Sequence, residues 1–177
     1  MWFIKNQSQP RVLPVFCSLF SKEECEEYRK NFFLYSRLIE EGLNYNHCEL
    51  NESDHILEYL RVSDCIDKLN KQTFNFDIST VKLHYCSFDE KSNFPDTTPY
   101  INVDQLTIKL AFIINLNDDY EGGALTVGIR EDQRAVTSAI EVGTIAMFPS
   151  FSTIQVKPPT NGRHHIILGY CYGSQFK

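Results

Sequence analysis

The side chains that could do chemistry in this chain are few and scattered. Of its five histidines, His84 sits inside an alternating run, while His164 and His165 open a late apolar run. Tyr85 follows His84, and Asp96 lies in a Pro-Asp-Thr segment. If strands bring His84, Tyr85, Asp96 and His164 to one mouth, the group could hold a metal ion, or His164 could exchange protons near neutral pH. The plainer reading of each is structural. His164 is then a satisfied pocket residue, His84 and His165 point outward, and Asp96 forms a turn. Asp118 and Asp119 read in the same way as a solvated turn rather than a calcium site. The six cysteines, Cys17, Cys25, Cys48, Cys65, Cys86 and Cys171, lack C-x-x-C spacing and read as core fillers rather than nucleophiles.

The elements that must position these residues fall into a helical part, about 21–72, and a β part, about 78–176. Residues 12–20 form a short apolar run with a proline, which predicts an edge strand leading into a helix. Ser21-Lys22-Glu23-Glu24 has the form of a capping box, and Cys25, Tyr28, Phe32 and Tyr35 share one face of the helix that follows. Residues 40–51 are polar and read as loop. Ser53 and Asp54 are placed to cap a second helix through about Lys71, with Tyr59, Val62, Ile66 and Leu69 as its buried seam.

Strand patterns then dominate. Residues 81–88 alternate, 89–104 read as a long polar loop, and 106–117 form an apolar strand before a turn leading to 124–127. Later come 144–148, the alternating Ile154 and Val156, a Pro-Pro-Thr-Asn-Gly turn and the strand 166–172. Neither a repeat nor a linker interrupts the 177 residues, so the expectation is one domain spanning 1–177.

Composition narrows the partners. With 42% hydrophobic and 13% aromatic residues the chain is a folded globular protein. A net charge of −6 without a basic run argues against nucleic acid, and no apolar run is long enough to span a membrane. The opening MWFIKNQSQP lacks the pattern of a secretory signal. The expected setting is cytoplasmic or virion-associated, not secreted, with reduced thiols.

The closing run, from Gly143 onward, closely resembles the C-terminal half of the prolyl-4-hydroxylase type of 2-oxoglutarate and Fe(II)-dependent oxygenases. That family ends in a run like G-x-x-x-x-F-P-S-x-x-x-H-x-V-x-P-V-x-x-G-x-R-x-x-x-x-G-W. Gly143, Phe148, Pro149, Ser150, Val156, Pro158, Gly162 and Gly169 fall on this frame without a gap. Earlier segments follow in family order: the capped helix, N-K-Q-T-F-N-F-D-I at 70–78, Tyr85, and L-N-D-D-Y-E-G-G at 116–123. The resemblance implies an α+β protein built as a double-stranded β-helix, a jelly roll of cupin type, with two or more N-terminal helices on its major sheet.

The resemblance also implies a site, and there the chain departs from the pattern. Family members hold iron with an H-x-D pair and a second histidine. Phe94 and Asp96 occupy the first two of these positions and Ile154 the third. His164 stands where an arginine grips 2-oxoglutarate, with Arg163 adjacent but facing the other way on a strand. Two apolar groups out of three cannot coordinate Fe(II). The expectation is therefore a non-catalytic chain with no cofactor and no metal site, working through a protein partner or self-assembly, with any small-molecule ligand left open. Small oxygenase-like chains of phages make a viral role a reasonable guess. The alternatives are a divergent dioxygenase that does use Fe(II) and 2-oxoglutarate, a metal-free enzyme in the same pocket, and a pocket filled by Phe94 and Ile154.

Overall fold

A computed structural model describes residues 14–35, 45–92, 94, 98–99, 102–103, 105–128, 134–135 and 140–175. The chain begins with strand β1 (Val15–Ser18), helix α1 (Lys22–Tyr35), strand β2 (Asn46–Leu50) and helix α2 (Ile56–Thr73). The remaining elements are all strands: β3 (Thr80–Phe88), β4 (Asn102–Val103), β5 (Leu106–Asn115), β6 (Glu121–Gly122), β7 (Leu125–Gly128) and β8 (Arg134–Ala135). They continue with β9 (Thr144–Pro149), β10 (Thr153–Val156), β11 (Pro159–Asn161) and β12 (His164–Ser174).

Seven strands make the major sheet, in the order β1-β9-β5-β12-β3-β2 with β4 added to β5. A second sheet, β10-β7-β8, faces one side of it, and β11 pairs with β6 as a separate two-stranded sheet. Both helices cover the other side. This is the jelly roll with two helices on its major sheet that the sequence led us to expect.

Period-two alternation sorts the core into two layers. Leu83 and Tyr85 of β3, Leu110, Phe112 and Ile114 of β5, Ile145 and Met147 of β9, and Ile167 of β12 pack under the helices. The helices meet them with Cys25 and Phe32 from α1 and with Tyr59, Val62, Cys65 and Ile66 from α2. The intervening residues, among them Phe88, Ile113, Phe148, Ile166 and Leu168, face the second sheet and meet Leu125, Val127, Ile154 and Val156.

The start of α1 is built as the sequence indicates. The Glu24 amide donates to Ser21 Oγ at 3.2 Å, and the Ser21 amide donates to Glu24 Oε2 at 2.8 Å. Arg61 of α2 closes this corner: it donates to Glu24 Oε1 and to the Leu19 carbonyl, both at 2.5 Å, and lies over the Phe20 ring.

Several expectations need correction. Ser53 and Asp54 do not cap α2; His55 holds the cap position without a side-chain hydrogen bond. The Asn51 carboxamide instead captures the Ser53 amide and hydroxyl in a tight turn one step earlier. Part of the polar 40–51 segment is strand β2, an edge strand whose pairing with β3 needs no apolar sequence. The Pro-Thr-Asn turn likewise carries the short strand β11. Of the expected α1 seam, the Tyr35 side chain lies outside the described residues.

Gly143 is a joint between layers. Its amide donates to the Asn115 carbonyl, and its own carbonyl accepts from both Leu19 and Phe20 amides. Its φ of 79° is left-handed, and a Cβ there would sit 1.9 Å from the Phe20 carbonyl oxygen. Gly143→Ala combines backbone strain with overpacking and is expected to destabilise the fold by about 2–4 kcal/mol. A urea titration checks this, and an unchanged midpoint would overturn the assignment of this joint.

Candidate functional site

The space between the two sheets is where a jelly roll would hold a ligand, and among the described residues apolar side chains occupy it. Ile154 of β10, 1% exposed, points into it opposite Val127 of β7. Phe94 is half-buried and packs on the rings of Tyr45 and Phe88, at centroid distances of 5.5 and 5.8 Å. Beside His164 lies a void of about 10 Å³, lined by Ile113, Asn115, Leu125, Ile140 and Ile166. A space of that size takes at most one water.

His164 is the polar residue at the centre of this layer, 2% exposed. Asn115 Nδ2 donates to the Ile140 carbonyl, which leaves Asn115 Oδ1 as an acceptor 3.2 Å from His164 Nε2. The imidazole therefore carries its proton on Nε2. Nδ1 then faces the void as a bare lone pair without a protein partner. Tyr120 stacks on the ring at 4.3 Å. Burial pulls the His164 pKa down to about 4, so the ring is neutral near pH 7.

The next residue faces the other way. His165, read from sequence as outward, is instead 7% exposed under α1. Its Nδ1 meets the Tyr85 hydroxyl at 2.5 Å, and Phe33 lies edge-on to its ring. Burial, helped by the nearby guanidiniums of Arg29 and Arg163, lowers its pKa to about 3. His84 is also drawn in: its Nδ1 lies 3.1 Å from His47 Nε2, and burial with the second imidazole lowers its pKa to about 4.

Of the proposed mouth, His84, Tyr85 and His164 are therefore not brought together. Tyr85 and His164 lie on opposite faces of the major sheet. His84 shares the face of His164 but stands opposite Leu168, whereas His164 stands opposite Phe88, four residues along β3. Asp96 lies outside the described residues. Among the described residues no three His, Cys, Asp or Glu side chains converge as metal ligands. Burial suppresses thiolate formation at three of the thiols, raising Cys25 to about 11 and pushing Cys86 and Cys171 higher still.

Arg163 is not turned toward the interior. Its guanidinium donates to Asp89 Oδ2 at 3.0 Å and lies 5.3 Å from the Phe33 ring. The bulge in β12 falls at Cys171/Tyr172, too far along the strand to rotate Arg163 inward. Asp118 and Asp119 are anchored by the chain's own cations: Lys22 reaches Asp118, and Arg29 donates to both oxygens of Asp119. Asn117 completes that junction by donating to the Arg163 carbonyl and to Asp119 Oδ1 while accepting from the His165 amide. Sequence reasoning missed Asn115, Asn117 and Tyr120, although L-N-D-D-Y-E-G-G marked the turn that holds the last two.

These residues do not fit Fe(II) and 2-oxoglutarate. Isoleucine and phenylalanine offer no lone pair, a neutral imidazole cannot neutralise a carboxylate, and the void beside it cannot take a dicarboxylate.

The three lowered histidines predict an acid-labile fold. Between pH 6.5 and about 4 the unfolded chain binds protons that the folded chain refuses, so stability falls as pH falls through that window. At pH 5 the loss is about 1–2 kcal/mol per histidine relative to pH 7. Urea midpoints measured at both values check this, and His164→Asn is expected to remove its share of the difference.

No protein-family model matches the sequence, and no curated protein matches it. Solved structures do resemble it in shape. A prolyl-4-hydroxylase from Pseudomonas putida superposes with a TM-score of 0.72 at 12% identity, covering 94% of this chain and 95% of its own. The viral collagen prolyl hydroxylase of Paramecium bursaria Chlorella virus-1 gives 0.68 at 10% identity, covering 91% and 96%. An oxidoreductase of the 2OG-Fe(II) oxygenase family from Burkholderia pseudomallei gives 0.61 at 15%, covering 92% and 84%. The chain thus has the prolyl-4-hydroxylase-like 2-oxoglutarate oxygenase fold over nearly its whole length.

Proposed function

We propose that this protein is a non-catalytic member of that fold, acting as a binding, structural or regulatory subunit inside a cell or in a virus particle. The observation that carries the reading is the interior between the sheets. Among the described residues Ile154 and its apolar neighbours occupy it, and the position that would face a co-substrate carboxylate holds a neutral His164 against a void of about 10 Å³. With these positions given to the core, the reading places interactions on the outer surface.

One stretch of that surface supports a partner. Ile56, Leu57 and Leu60 at the start of α2 are 57%, 69% and 59% exposed and adjacent on the helix. Clustered exposed apolar side chains of this kind are a common feature of protein contacts, including self-assembly. No helix among the described residues is long and apolar enough to cross a membrane.

Anaerobic titration with Fe(II) or Mn(II), with and without 2-oxoglutarate, tests the reading. We expect no stoichiometric heat and a melting temperature that does not move. A ligand at 100 times its dissociation constant would stabilise the folded chain by about 2.7 kcal/mol. A melting shift of that size with 2-oxoglutarate would restore the dioxygenase reading.

A further inference from the structure

Two of the six thiols stand apart from the rest. Cys17 lies on β1, the edge strand of the major sheet, directly opposite Ile145 of β9. Ile145 packs under the helices, so Cys17 points to the helix side as well, where it joins the same core layer. Cys65 projects from α2 into that layer. Both thiols line one surface groove of about 400 Å³ with Arg61, Asp64, Lys68 and Gln72. Cys17 is half-buried and can be reached from the groove, whereas Cys65 is buried behind it. Of the other four, Cys48 and Cys86 lie on adjacent strands but in different core layers, and Cys25 and Cys171 lie on α1 and β12.

We infer that Cys17 and Cys65 form a dithiol site that small disulfides, of the class of oxidised glutathione, convert to an intramolecular disulfide joining β1 to α2. The Cys17 thiolate attacks one sulfur of the reagent, whose S–S bond breaks and releases one thiolate that takes up the Cys17 proton. Cys65 then loses its proton and attacks the Cys17 sulfur of the mixed disulfide, releasing the second reagent thiol. Two protein thiols are oxidised and one reagent disulfide is reduced to two thiols. Burial and the contact with Cys17 raise the Cys65 thiol to about 12, so the second step is the slower one and the mixed disulfide on Cys17 precedes closure.

The product ties together two elements that share no backbone hydrogen bond among the described residues. Among the described residues β1 has a backbone partner on one edge, β9. Closing a loop of this length restrains the unfolded chain and raises the melting temperature by about 8–15 °C. That the pair lies on the helix side of the sheet, away from His164 and Ile154, makes the inference independent of the interior and of the functional reading drawn from it.

The test incubates the full chain with oxidised and reduced glutathione at fixed ratios, blocks residual thiols and maps a non-reducing digest by mass spectrometry. The expected result is a linked pair of peptides containing Cys17 and Cys65, with the other four thiols blocked and the melting temperature raised until dithiothreitol is added. Cys17→Ser is expected to abolish both the link and the shift, and Cys65→Ala to stop the reaction at a glutathione adduct on Cys17. Six blocked thiols, an adduct that never closes in the wild-type chain, or a link between any other pair would overturn the inference. The wild-type map decides even if a variant folds poorly.

Discussion

A strand covered on both faces and paired on both edges leaves its side chains no freedom of role, and β12 is such a strand. It runs between β3 and β5 in the middle of the major sheet. Each successive residue must belong either to the layer under the helices or to the layer between the sheets, because the side-chain period is two. His164, Ile166 and Leu168 take one side; His165, Ile167 and Cys171 take the other. Gly169 has no side chain, and the Phe112 ring on β5 occupies the place where its Cβ would be. The polar chemistry of the whole chain follows from that division, since adjacent histidines are sent to different environments and cannot cooperate.

Much of this was readable in advance. The capping box, the apolar seam of α2, the alternating runs and the family-like frame from Gly143 to Gly169 place the helices and most strands where they lie. Those signals are local, because a cap or a periodicity needs only neighbours in sequence. Edge strand β2 was not legible, since one partner and one covered face let Asn46, His47 and Glu49 serve where a central strand would need apolar residues. The cap of α2 was misplaced because Asn51 competes for the Ser53 hydroxyl, and nothing in residue type alone decides that competition.

The site was legible in its losses and not in its replacements. That Ile154 and His164 occupy the frame positions of a ligand and a cation follows from spacing. That His165 would be buried on Tyr85, and that Asn115 would fix the tautomer of His164, depends on register between strands far apart in sequence. The aspartates of 118–119 show the same limit. As a sequence they are a charged turn; in the fold they are the counter-ions of Lys22 and Arg29 on α1.

One consequence of β12 concerns time rather than architecture. It comes after every other strand of the described residues, yet it is the one that separates β3 from β5. Until residues 164–174 are made, each of those strands presents an unpaired edge rich in buried apolar side chains, and neither can complete the other. The major sheet therefore cannot grow strand by strand as the ribosome delivers it. Its formation waits on contacts of long sequence separation, which makes folding slow and leaves sticky edges exposed in the interval. A chain interrupted before His164 loses the middle of its sheet rather than a margin.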